Sequence, residues 1–321
     1  MAATSCGVIG NPVRPRGVSV GRLVRPPSRS KGTLVKITAV RTVRRLASVG
    51  VVAAAAAIAL AACAPASTDG VVQSTGSATA DTSAAKSLSD IQAAGELVIG
   101  TEGTYQPFTY HEGGAGALTG YDVDVATAVA EKLGVTPTFE ETQFDALLAG
   151  LTAGRFDLVA NQISITDERE ATYDFSTPYT VSRGVVITPA DNTDITSLAD
   201  LKGKTTAQSQ SSNFYTTAKD AGADVQVVEG WAQSVALLEQ GRIDATVNDE
   251  LTFLDYVKTN PDQAAGIKIA ATTDDVSRSA LVTTKGSDDL VTAIDDALAE
   301  LKADGTLATI SEKYFGQDVS E

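Results

Sequence analysis

From residue 87 onward the apolar positions follow two rhythms that alternate along the chain. Short runs such as "ELVIGTE" (96–102) have the length and composition of buried strands. Between them lie stretches with helical spacing. In "GYDVDVATAVAEKLG", Val125, Val129 and Leu133 fall at i, i+4 and i+8. Asp122 and Asp124 suit the positive end of that helix, and Gly134 can close it. Ile294, Leu298 and Leu301 form another apolar stripe before Gly305. Strands alternating with amphipathic helices predict an α/β fold.

An internal repeat sharpens this picture. "FDALLAGLTAGRFDLVANQ" (144–162) aligns without gaps to "WAQSVALLEQGRIDATVND" (231–249). An aromatic opens each helix, Gly-Arg ends it, and Phe/Ile-Asp leads into a short strand. The strands run out at Asn161-Gln162 and at Asn248-Asp249. A register kept over the whole segment predicts two related lobes. Open α/β sheets bind ligands beyond the carboxyl ends of their strands, so two facing lobes would turn both polar pairs into one cleft.

The N-terminal region has a different character. No Asp or Glu precedes Asp69, whereas ten Lys and Arg do, leaving 15 basic against 40 acidic residues in the rest. So acidic a domain argues against nucleic acid, whose phosphates need a basic face. Arg41, Arg44 and Arg45 precede a 14-residue apolar run, Val49 to Ala62, that ends in "LAAC". This reads as a secretion signal closed by a lipobox-like site, with Cys63 the lipidated residue; a weak alanine-rich membrane anchor is the other reading. Residues 1–34 are longer than a signal needs and are expected to be absent from the mature protein. Residues 1–62 are thus extension and signal, and 63–86, rich in Ser, Thr, Ala and Gly, are a tether. Cys6 and Cys63 are the only cysteines, so no disulfide or cysteine–metal site is expected in the domain.

Candidate chemistry gathers at the strand ends. In "NQISITDERE" (161–170) Arg169 stands among acidic residues just past a buried strand. Its planar fork suits a carboxylate from a ligand, and a surface pair with Asp167 or Asp174 is the alternative. Asp249 ends the equivalent strand of the other lobe and could take an ammonium group. "AQSQSSNF" (207–214) is a polar turn leading into a helix, suited either to an anion or to ordinary capping by Ser212 or Asn213.

These segments, with "IGTEGTYQPFTYHE", "YDFSTPYT", "LADLKGKTTAQSQSS" and "LKADGTLATISEKYFG", resemble in order the extracellular solute-binding proteins of family 3. Those are the amino-acid receptors of ABC importers. The resemblance spans about residues 87–318 and around "NQISITDER" is nearest the cystine-binding branch. It implies a type II periplasmic-binding fold, two α/β lobes joined by two crossover strands. The lobes would divide as 87–183 and 279–321 against 184–278. Arg169 then matches the arginine that grips the α-carboxylate, Ser212 and Asn213 match the second-lobe turn that hydrogen-bonds the same carboxylate, and Ser164 matches a first-lobe strand-end residue offering backbone or hydroxyl contacts. Asp249 matches the acceptor of the α-ammonium. Tyr105 and Phe144 match the walls of the pocket, and Asn161 and Gln162 match positions that help set side-chain choice. Two departures stand out: Phe144 where cystine-type relatives often carry Trp, and Ser211 where many have Gly.

The implied function is a lipid-anchored extracytoplasmic receptor that captures an amino acid, cystine first and other polar amino acids next. Its partners would be the ABC permease and ATPase, and the membrane through its lipid. The resemblance implies a monomer with no cofactor. The single histidine, His111, sits in the glycine-rich "HEGGAG", and no metal cluster, nucleophile elbow or phosphate loop appears. Two alternatives share the fold: a dehydratase using a carboxylate such as Asp249 as acid or base, and a sensor lipoprotein.

Overall fold

The computed structural model describes residues 86–320; the signal, Cys63 and the tether through residue 85 lie outside the described residues. The repeat is the best entry into the architecture. Its first copy folds as helix Phe144–Thr152 and strand Leu158–Val159, its second as helix Trp231–Glu239 and strand Thr246–Asp249. The aspartate before each strand has the same task. Asp157 accepts a hydrogen bond from the Val98 N–H (3.0 Å) while its own N–H donates to the Val98 carbonyl. Asp244 does the same with Thr205 (2.7 Å). Each copy is thus clamped to the first strand of its own lobe.

In the first lobe, strands Thr136–Glu141, Glu96–Thr101 and Leu158–Val159 run parallel. The sheet continues through the antiparallel strand Val282–Thr284 to Tyr173–Phe175. Helix Tyr121–Leu133 buries Val125, Val129 and Leu133, as its spacing predicts, and ends in Gly134 at φ 75°. Helix Asp288–Ala303 turns Ile294, Leu298 and Leu301 into the same core, which also takes Leu307, Ile310 and Tyr314 of helix Thr306–Phe315. The C-terminal segment therefore completes the sheet and core of residues 88–175.

The second lobe pairs Thr205–Gln208 with Asp224–Val227 in parallel, and a bridge between Thr206 and Ala245 ties them to strand Thr246–Asp249. Its cores combine Val185, Ile187, Trp231, Val235, Leu238 and Phe253 on one side of the sheet and Val186, Leu201, Ala218 and Val247 on the other.

Two long strands connect the lobes. Thr180–Pro189 and Ile267–Ser279 pair antiparallel from Thr180–Ser279 to Pro189–Ile267, with irregularities between Ile269 and Ala271 and between Thr272 and Val276. At the first-lobe end Ser279 bridges to Ser164, and the Val181 N–H donates to the Val319 carbonyl. At the other end Thr246–Asp249 pairs with Ile187–Gly184. A two-stranded ribbon of this kind can twist and bend without disturbing the core of either lobe.

Candidate functional site

The carboxyl ends of the strands meet across the cleft. Strand Glu96–Thr101 runs into Glu102 and Tyr105, Leu158–Val159 into Asn161, Gln162 and Ser164, Thr205–Gln208 into the 209–213 turn, and Thr246–Asp249 ends on Asp249 itself. A chamber of about 50 Å³ lies between the lobes, walled by Tyr105 and Phe144 on one side and Trp231 and Asn248 on the other. Gln162, Ser212 and Asn213 also line it. Ser164 and Arg169 line a wider groove of about 860 Å³, and Ser212 and Asn213 face both spaces. The 211–213 turn is therefore the partition between them.

Arg169 belongs to helix Asp167–Glu170, whose first turn is capped by the Thr166 hydroxyl (3.3 Å). Its guanidinium is buried, and it donates to the carbonyls of Ser164 (2.8 Å) and, across the cleft, Ser211 (2.9 Å). Neither acidic neighbour weighed from the sequence holds it. Asp174 pairs instead with Lys285 at 2.9 Å, and among the described residues no carboxylate lies within ion-pair distance of Arg169. Burial pulls its proton affinity down, with nearby Glu168 opposing. Carbonyl dipoles satisfy part of its fork but do not neutralise it.

The second lobe presents the complementary charge. Asp249 is buried, caps helix Glu250–Thr259 through the Leu251 N–H (2.8 Å) and accepts from the Ser182 hydroxyl (2.7 Å). Burial pushes its carboxyl up to about 6 against those two hydrogen bonds. Beside it, Asn248 accepts the Tyr105 hydroxyl at 2.9 Å, and Thr252 donates to that same tyrosine oxygen.

The other expected site residues divide in their roles. Ser212 caps helix Asn213–Asp220 by accepting the Phe214 N–H. The Ser164 hydroxyl donates weakly to the Asn213 side-chain oxygen (3.4 Å) and lies 3.0 Å from the Ser277 hydroxyl. Asn161 is fully buried. It accepts the Glu102 N–H (2.8 Å) and donates to the Glu102 carboxylate (3.0 Å), so it acts on the chamber through Glu102. Gln162 lines the chamber directly.

Of the three buried carboxyls near the cleft, Glu102 lines the chamber, whereas Asp122 and Asp249 do not. Burial raises Glu102 to about 7, opposed by its hydrogen bonds from Asn161 and Thr104, and raises Asp122 to about 7, opposed mainly by Gln162. Glu102, Asp122, Gln208 and Trp231 are not among the site residues expected from the sequence. Glu102 and Gln208 could have been found by applying the strand-end rule to "ELVIGTE" and "TTAQ". Trp231 could have been found as the repeat partner of Phe144. One further residue carried no signal. Asp145, at the start of the Phe144 helix, crosses the cleft to accept the N–H groups of Gln210 (3.2 Å) and Ser211 (2.8 Å) and the Ser211 hydroxyl (2.6 Å).

Two α/β lobes on a paired crossover ribbon, with a buried arginine on a short helix of one lobe and a buried aspartate ending a strand of the other, define a type II periplasmic-binding fold. The chain belongs to the bacterial extracellular solute-binding proteins, family 3, whose model matches residues 97–317. L-cystine-binding protein TcyA of Bacillus subtilis (strain 168) is 51% identical over 231 residues, covering 72% of this chain and 85% of its own. L-cystine-binding protein TcyJ of Escherichia coli (strain K12) is 39% identical over 240 residues, 73% of this chain and 88% of its own.

Among solved structures, the L-cystine solute receptor of Neisseria gonorrhoeae in its unliganded open conformation is 50% identical. It overlaps 74% of this chain and 99% of its own with a TM-score of 0.51. An ancestral arginine-binding protein bound to arginine is only 38% identical over 69% of this chain and 99% of its own, yet its TM-score is 0.65. Rotating one lobe on the other lowers a global superposition while leaving each lobe unchanged. The inverse order of identity and overlap therefore accords with the closed cleft that the Arg169, Tyr105 and Asp145 contacts describe.

Proposed function

We propose that this protein is the substrate-binding component of an amino-acid ABC importer, with cystine its leading ligand and other polar amino acids next. The observation that carries the reading is the pair of buried charged groups on opposite lobes, Arg169 and Asp249, neither of them neutralised by an opposite charge among the described residues. A zwitterion supplies both missing partners. Its carboxylate would replace the two carbonyls on the Arg169 fork, helped by Ser164, Ser212 and Asn213. Its ammonium would join Asp249, and Tyr105 and Phe144 would hold its carbon chain. The cystine-binding relatives support the ligand class.

Lobe division near residues 183 and 278 would make the paired ribbon the hinge on which the clamp closes. Secretion with lipidation at Cys63 would hold the protein at the outer face of the membrane for delivery to the permease, working as a monomer and without catalysis. Among the described residues no helix is long and apolar enough to cross a membrane.

Titration of the purified protein with the amino acids and L-cystine, read by calorimetry and by melting, tests this. A ligand at a hundred times its dissociation constant should stabilise the fold by about 2.7 kcal/mol. If no amino acid binds, the ligand class is wrong. Cys63→Ala should release the protein from the membrane fraction or block its processing, and a processed, membrane-bound variant would refute the anchor.

A further inference from the structure

Tyr105 follows the first strand of the first lobe, yet it packs against the apolar cores of both lobes. Its ring leans on the fully buried Phe108, with centroids 5.1 Å apart. Both hydrogen bonds of its hydroxyl go to the second lobe, Asn248 accepting at 2.9 Å and Thr252 donating at 2.9 Å. An apolar wall needs only the ring, so the hydroxyl has a separate task.

The direction of each bond follows from chemistry. The Asn248 side-chain oxygen also accepts the Asp249 N–H at 2.7 Å, which fixes it as an acceptor towards Tyr105. The phenol gives its single proton to Asn248, so the Thr252 hydroxyl must donate to the phenol oxygen. Burial, with the Asp249 charge adding to it, keeps that phenol protonated. Thr252 is itself fully buried, in the first turn of helix Glu250–Thr259 that Asp249 caps. Between cap and hydroxyl, Leu251 packs into the apolar core of the first lobe. One helical turn of the second lobe thus grips the first by an apolar side chain and by a hydroxyl.

Parting the lobes would break both bonds to Tyr105. Asn248 would keep the Asp249 N–H, because those two are neighbours in the chain. We propose that the first turn of helix Glu250–Thr259 is an internal latch of the clamp, with Thr252 and Asn248 as positioning residues that seat Tyr105 on closure. The proposal rests on the amino-acid reading above and adds how the chamber is held shut.

Stopped-flow fluorescence of Trp231, which lines the chamber with Tyr105, tests it on the purified protein, with calorimetry for affinity. Tyr105→Phe keeps the ring and removes both bonds. Affinity for amino acids should fall about tenfold, through faster release at nearly unchanged association, with the ligand ranking preserved. Thr252→Val removes only the donor and should cost about threefold. Thr252→Ser keeps the hydroxyl and should release ligand as the native protein does.

The double variant separates a latch from a merely structural role. Once the phenol is gone, Thr252→Val has no bond left to lose, so the pair should release ligand no faster than Tyr105→Phe alone. A structural role for Thr252 would add its loss to that of Tyr105→Phe and lower the melting temperature of the unliganded protein. Native release from Tyr105→Phe, or additive losses in the pair, would overturn the latch. A ranking altered by Tyr105→Phe would overturn it too, by placing the hydroxyl on the ligand. If the native protein binds no amino acid, the reading beneath the proposal fails, and the latch fails with it.

Discussion

Arg169 shows how far residue types alone carry the chemistry. Its place after a strand and the value of a planar fork are legible in "NQISITDERE". Its burial and its bond to the Ser211 carbonyl are not, because they depend on how the second lobe sits over it. Replacing it by Ala should abolish amino-acid binding, since an unpaired buried ligand carboxylate costs about 3–5 kcal/mol. Lys should restore part of the affinity, keeping charge but losing the two-point grip. Undiminished binding to Arg169→Ala in calorimetry would remove this residue from the site.

The buried carboxyls add a pH dependence. Asp249 is raised to about 6, and Glu102 and Asp122 to about 7, from ordinary values of 3.8 for Asp and 4.5 for Glu. A carboxyl raised on folding keeps its proton to higher pH in the folded state than in the unfolded one. Its contribution to stability is therefore present at low pH and is lost as pH rises from about 4 through 6 to 7. A ligand ammonium needs the ionised forms, so affinity should rise over the upper part of that window. The melting shift produced by ligand should be larger at pH 8 than at pH 5, and Asp249→Asn should flatten the difference. An equal shift at both values would contradict this assignment.

At the scale of elements, the repeat was the most informative feature of the sequence because it encodes a packing unit. The structure adds a compensation inside it that alignment does not explain. In the first copy Gly150 faces Phe156, and a Cβ built on Gly150 would lie 2.5 Å from the phenyl ring. In the second copy the same positions are Leu237 and Ile243, which pack in the core beside Val235 and Leu238. The Phe156 ring also lies over Gly100 of the central strand, so small residues above and below make room for one large one. Gly150→Ala should therefore destabilise the protein by about 1–3 kcal/mol despite the better helix propensity of Ala. Pairing it with Phe156→Leu should recover part of that loss in urea unfolding, and an additive pair would show that the two sites do not communicate. The strand-end rule, by contrast, is legible at all four strands and reaches Glu102 and Gln208 as well as the polar pairs of the repeat.

For the whole molecule, closure is the property that sequence reveals least, since it depends on contacts between residues far apart in the chain. Asp145 is the clearest case. It sits at the exposed start of the Phe144 helix, and its carboxylate holds two N–H groups and a hydroxyl of the opposite lobe, while Arg169 holds the carbonyl of the same turn. Its carboxylate reaches the rim of the cleft, so it should slow opening and add little to the chemistry of recognition. Removing three exposed hydrogen bonds of this kind should cost about 1 kcal/mol of closed-state stability, roughly a fivefold effect. Because the lost contacts exist only in the closed form, the change should appear mainly as faster ligand release. Trp231, the only tryptophan, lines the chamber and gives an intrinsic signal for closure. Stopped-flow fluorescence on Asp145→Ala should show release accelerated severalfold, association nearly unchanged and the ligand ranking preserved. A changed ranking would place Asp145 in recognition, and an unchanged release rate would mean that the lobes stay closed without it.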